Sequence, residues 1–131
     1  GEAGGGPGYS KAGLTEVTSR ESIDAAIAGP PGSAGPRRAL IFVYGPTCRA
    51  CKIMSPRVSR VAAACRARAA VPDEGPAFLA LNSKDHKDVS DGLEVKEVPA
   101  FVLLEEGKPT AQWKGVVSEE DLLRLVTAPP A

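Results

Sequence analysis

The stretch that most constrains this chain is a run of six apolar residues, Ala39–Tyr44 (ALIFVY), closed by Gly45-Pro46. It falls far short of the roughly 20 apolar residues of a membrane span. It shows no polar alternation, so both of its faces need cover. That predicts a buried central strand. Directly after it, from about residue 49 to 70, Val58, Val61, Ala62, Cys65 and Ala69 recur at spacings of three and four. Such spacing lines up one apolar face of a helix, with Pro56 expected to kink it. A strand running into a long amphipathic helix is the start of an α/β fold.

The rest of the chain continues the pattern. "LTEVTS" reads as a short edge strand. Ser19 caps a helix over "RESIDAAIAG", with Gly29 as its stop. "GPPGSAGPRR" holds three prolines and three glycines in ten residues and reads as a loop. "AFLALN" is a second buried strand and "KDHKDVSDGL" a short polar helix. "AFVLLEEGK" and "TAQWKG" form two strands about a Glu106-Gly107-Lys108 turn. "SEEDLLRLV" is the last helix, with Ser118 as cap and an acid-rich first turn. The 131 residues suffice for one domain with one modest core. We divide them into a flexible Gly-rich tail, residues 1–13, and a domain, residues 14–131. The chain starts with Gly, which reads as a processed or trimmed form.

Charge sums to zero but is unevenly spread. Residues 25–72 carry eight Lys or Arg and no acid, whereas residues 73–131 carry twelve acids and six bases. The basic run, with Arg57, Arg60, Arg66 and Arg68, is expected to help select acidic partners. An overall pI near 6.8 argues against nucleic acid. No membrane association is expected, and the chain reads as a monomer. Three cysteines is too few, and odd, for a disulfide-stapled secreted scaffold. An intracellular reducing compartment is expected.

Two of those cysteines, Cys48 and Cys51, stand where the helix begins. Unpaired N–H groups and the positive end of the helix dipole favour a thiolate at Cys48. Arg49 and Lys52 add positive charge. Cys51, one turn further in, can attack a mixed disulfide formed at Cys48. A Cys3His zinc site from Cys48, Cys51, Cys65 and His86 is the rival. Cys51 and Cys65 are fourteen residues apart on one helix, about 21 Å at 1.5 Å per residue, too far for one metal. A purely structural disulfide closes so short a loop that it removes little chain entropy. No cofactor and no metal are expected.

"CRACK", Pro56 five residues beyond the second cysteine, "EVPAF" before a strand, and Gly115 ahead of the last helix together resemble the thioredoxin family. The resemblance covers about residues 14–126. It implies a thioredoxin fold, a central mixed β-sheet flanked by helices on both faces. It implies thiol-disulfide exchange on protein substrates, with Cys48 as nucleophile and Cys51 resolving. It implies a cis Pro99 facing the disulfide, with Val98, Gly115, Thr47 and Arg49 contacting substrate. A thioredoxin reductase or another dithiol donor would return the electrons.

The departures from the family pattern are informative. The usual Trp-Cys-Gly-Pro-Cys is Thr47-Cys48-Arg49-Ala50-Cys51 here. The family's buried Asp falls on Phe42 and its Lys partner on Ala80. Arg49, Lys52 and Phe42 are therefore expected to tune the pair to be more oxidising, and slower, than a typical thioredoxin. These losses also leave open a non-catalytic interaction module built on the same fold. "LNSKDHKD" and the missing Trp resemble plant and algal plastid thioredoxin-like proteins, which favours the chloroplast stroma. Cys65 reads as an inert core residue, His86 as a solvated helix residue, and Trp113 and Tyr44 as packing.

Overall fold

The computed structural model describes residues 9, 13–29, 31–33, 35–71 and 74–129. The chain order is β1 (Thr15–Glu16), α1 (Arg20–Ile27), β2 (Ala39–Tyr44), α2 (Arg49–Arg68), β3 (Ala77–Asn82), α3 (Lys87–Gly92), β4 (Ala100–Glu105), β5 (Lys108–Lys114) and α4 (Glu119–Thr127). The five strands form one mixed sheet in the order β1-β3-β2-β4-β5. β2 is central, parallel to β3 and antiparallel to β4, and all six of its residues are buried.

The pleat sends alternate β2 residues to two separate cores. Leu40, Phe42 and Tyr44 join Phe78, Ala80 and Phe101 beneath α2 and α4. Ala39, Ile41 and Val43 face Ile23 and Ile27 of α1, with Leu93 and Val95 beyond α3. Helices therefore cover both faces of the sheet, which is why a strand with no polar position is stable here.

Local signals explain the boundaries. Ser19 and Ser22 cap α1 reciprocally, each side chain accepting from the other's backbone N–H at 3.0 and 2.9 Å. α2 continues past Pro56 to Arg68, two residues short of the expected end, where Ala69 N–H turns back to the Cys65 and Arg66 carbonyls. The β4–β5 turn is tighter than expected: Glu106 and Gly107 alone make it, with φ of 53° and 80°, and Lys108 already belongs to β5. Positive φ at both central residues suits a two-residue hairpin whose twist matches its strands.

Most of the segment read as a tail lies outside the described residues, but Tyr9 does not. It is buried, with its ring edge-on to Phe42 at 5.8 Å and tilted against Tyr44 at 4.7 Å. The tail reading therefore does not extend to Tyr9, because an aromatic ring offered a gap in an apolar cluster is more stable buried than in water.

Candidate active site

The chain leaves β2 through Gly45-Pro46-Thr47 in a turn closed by Cys48 N–H donating to Gly45 O at 3.3 Å. Cys48 then caps α2. Its sulfur accepts the Cys51 N–H at 3.1 Å, and the two cysteines form a disulfide with Cα atoms 5.2 Å apart. Cys48 is half-buried, whereas Cys51 is 2% exposed and faces the core. Cys48 is partly accessible and Cys51 lies behind it.

Two further segments assemble around this turn. The Val98–Pro99 peptide is cis. A Cβ placed on Gly45 would lie 3.3 Å from Val98 Cγ2 and 3.7 Å from Cys48 Cβ, so the 98–99 segment packs closely against the cysteine turn at Gly45. Pro99 O in turn accepts Gly115 N–H at 2.9 Å. Gly115 has φ +84°, a conformation that suits glycine, and its missing side chain faces open space.

The loop after Gly115 is latched to α2 at Val117. Its N–H donates to Met54 Sδ at 3.2 Å, and its carbonyl accepts from Arg57 Nη1 at 3.1 Å. Both polar groups of one loop residue are thereby satisfied from a single helix. Gly45, Met54 and Arg57 were not singled out for this site from the sequence. A Gly between an apolar strand and a Pro was the only signal, and it reads equally as a strand terminator.

Thr47, Arg49 and Lys52 are exposed beside the disulfide. The basic run beyond them is less free than the sequence suggested. Arg60 pairs with Glu119 at 2.7 Å, and Arg57 and Arg66 donate to the carbonyls of Val117 and Gly13. Glu119, distant in sequence, partly offsets the charge of the run, and the carbonyls of Val117 and Gly13 fix where two of its arginines point.

Beneath the disulfide, Phe42 and Ala80 are fully buried, and Phe42 stacks on Phe101 at 5.4 Å. Tyr44 is not only packing: its hydroxyl donates to Glu16 Oε1 at 2.9 Å. Burial holds the Glu16 carboxyl above its usual range, an effect that the Tyr44 hydrogen bond and the charge of His86 oppose. Burial, then the bond to Glu16 and the Glu16 charge, push the Tyr44 phenol well up. His86 sits half-buried at the start of α3 rather than within it. Burial likewise raises the Cys65 thiol, as suits a core residue. Among the described residues no cluster of three His, Cys, Asp or Glu side chains is placed to hold a metal. No helix among them is long and apolar enough to cross a membrane.

The thioredoxin family profile matches residues 18–128. This chain belongs to the thioredoxin family. Chloroplastic thioredoxin F of Oryza sativa subsp. japonica is 29% identical over 96 residues, covering 72% of this chain. The chain spans 47% of that relative's length, about half. Among solved structures, spinach chloroplast thioredoxin F (short form) superposes with a TM-score of 0.68 at 23% identity, covering 89% of this chain and 93% of that one. Oxidised mitochondrial thioredoxin 3 of Saccharomyces cerevisiae gives 0.67 at 21%, covering 86% and 92%. These structural likenesses establish the thioredoxin fold. Within this thioredoxin-family domain Cys48 and Cys51 form a disulfide at the start of α2.

Proposed function

We propose that the chain exchanges its Cys48–Cys51 pair with disulfides of protein substrates. One observation carries the reading: a half-buried sulfur caps α2 and takes the Cys51 N–H, with its disulfide partner sealed behind it. In the reduced protein the same N–H and the helix end favour a Cys48 thiolate. That thiolate attacks one sulfur of a substrate disulfide, forming a mixed disulfide and releasing one substrate thiolate. Cys51 loses its proton and attacks the Cys48 sulfur. The Cys48–Cys51 bond forms, the second substrate thiol leaves, and two electrons have passed to the substrate. A dithiol donor, a thioredoxin reductase or an equivalent, restores the reduced pair.

The Val98 backbone pairs with an extended substrate segment, beside Pro99 and the open face of Gly115. Thr47 and Arg49 border that segment. Arg49 and Lys52 stabilise the Cys48 thiolate and make the pair more oxidising, while the apolar surroundings of Phe42 and Ala80 make a charge on Cys51 costly and slow resolution. The same replacements favour a second reading, a docking module whose pair no longer turns over. The relative in a chloroplast supports the stroma as compartment, and exposed Arg49 and Lys52 support acidic substrates.

Insulin reduction by the dithiol form separates the two readings. Exchange predicts turnover that disappears in Cys48→Ser, and a Cys51→Ser variant that accumulates mixed disulfides through Cys48. Wild-type protein that fails to reduce insulin, with no captured mixed disulfide in Cys51→Ser, would leave the docking module standing.

A further inference from the structure

The Cys48–Cys51 pair lies past the carboxyl end of β2. At the opposite end of the parallel strands, where β3 begins, lies a partly open cavity of about 400 Å3. That is within the range of small-molecule sites, roughly 300–1,000 Å3. Thr15 of β1, Phe78 of β3, and Cys65 and Ala69 at the end of α2 form much of its wall, with Arg37 and Arg66 completing it. Cys65 is fourteen residues beyond Cys51 along one helix, about 21 Å away, so this cavity is separate from the disulfide.

Its charge is one-sided. Among the described residues the lining contains two arginines and no Asp or Glu. Both arginines come from the acid-free run of residues 25–72. Two other arginines of that run, Arg38 and Arg60, each reach a carboxylate from the C-terminal half, Glu105 and Glu119, both at 2.7 Å. Arg37 and Arg66 reach none among the described residues. Arg37 donates to Gly75 O at 2.9 Å and Pro76 O at 3.4 Å, and Arg66 to Gly13 O at 3.4 Å. Carbonyls orient a guanidinium without cancelling its charge. With five N–H donors each, both side chains keep donors to spare. Gly13 contributes by its lack of a side chain, since a Cβ there would collide with the Arg66 guanidinium. The charges of Arg68 and Arg66, in that order, oppose the burial that raises the Cys65 thiol.

We propose that this cavity binds a small organic oxyanion, a carboxylate or phosphate monoester on a compact apolar body, with Arg37 and Arg66 holding the anionic group and the Ala69 and Phe78 walls covering the body. Arginine suits both groups, because its planar fork matches their paired oxygens. The site is independent of dithiol exchange and stands whether or not the pair turns over.

Amide chemical shifts of the full oxidised chain, titrated with benzoate, phenyl phosphate and neutral benzamide, test it. The expected result is saturable shifts centred on Thr15, Cys65 and Phe78, with benzamide at least about tenfold weaker than the better anion, as loss of a charged hydrogen bond implies. Benzoate ahead of phenyl phosphate would assign a carboxylate ligand, and the reverse a phosphate. Arg66→Gln is the deciding variant, because Arg66 is exposed and Arg37 also holds the β3 entrance together. It should weaken the anion about tenfold and leave benzamide unchanged. Equal binding of benzamide, anion affinity unaffected by Arg66→Gln, shifts centred on Arg49 and Lys52 instead, or no shift at millimolar probe would each overturn the proposal.

Discussion

Phe42 stands directly across the β2–β3 ladder from Ala80, and both are fully buried. The resemblance to thioredoxins implies a buried acid and its lysine at these two positions. A large ring faces a methyl group, and Tyr9, Tyr44 and Phe101 surround the ring. Replacing both members of a charge pair leaves no stranded charge, and well-packed apolar groups in such a place are often at least as stable as the pair.

Phe42→Asp should therefore destabilise the protein by about 4 kcal/mol or more, since it empties a packed site and strands a carboxylate in it. Adding Ala80→Lys should recover part of that loss. Urea denaturation of the four proteins in the cycle gives the coupling, expected to be favourable by about 1 kcal/mol or more. Additive losses would show that the two positions do not interact.

Glu16 gives a pH dependence with a definite sign. Its folded pKa is raised, chiefly by burial, so the folded state holds its proton more tightly than the unfolded chain. The stabilisation is complete below the unfolded value of about 4.3 and is lost as pH rises through the raised folded value. Glu16→Gln keeps an acceptor for the Tyr44 hydroxyl and removes the titration. Its urea midpoint should fall less steeply than the wild type across that window. Tyr44→Phe deletes the hydrogen bond that lowers Glu16, so the decline should extend to higher pH. Parallel profiles for Glu16→Gln and wild type would refute this account.

The latch at Val117 is open to a direct measurement. Met54→Leu keeps a side chain of similar volume, with a packing cost under about 1.5 kcal/mol, but removes the sulfur acceptor. Arg57→Ala removes the donor to the carbonyl. Amide exchange at Val117 should accelerate selectively in Met54→Leu, while that of Val58, buried on the same helix, changes little. An unchanged Val117 rate would mean that packing alone holds the loop.

Salt dependence should separate Arg49 and Lys52, which reach no carboxylate among the described residues, from the paired cations. Attraction between exposed charges is screened beyond about 8 Å at physiological ionic strength. The reaction with an acidic disulfide peptide should slow as salt rises, and Arg49→Gln with Lys52→Gln should remove most of that slope. Arg60→Gln should change it little, because Glu119 already offsets Arg60. Equal effects from both substitutions would restore a uniform basic stripe as the cause.

What the sequence determined by itself was the order of elements and the place of the cysteine pair at the start of α2. Six apolar residues without alternation require a strand covered on both faces, and cysteines at a helix start require one sulfur outside and one inside. These are local rules, since periodicity and end effects act within a turn or a pleat. Only the tertiary structure decided which distant groups meet. Val98 packs over Gly45 across 53 positions, Val117 reaches Met54 and Arg57 across 63 and 60, and Glu119 reaches Arg60 across 59. Tyr9 likewise leaves a glycine-rich segment for the ring cluster on β2. Periodicity tells which side of an element is apolar. It does not tell what that side will touch, because the partner is selected by the packing of whole layers, and the free energy of each such contact exists only once the layers are in place.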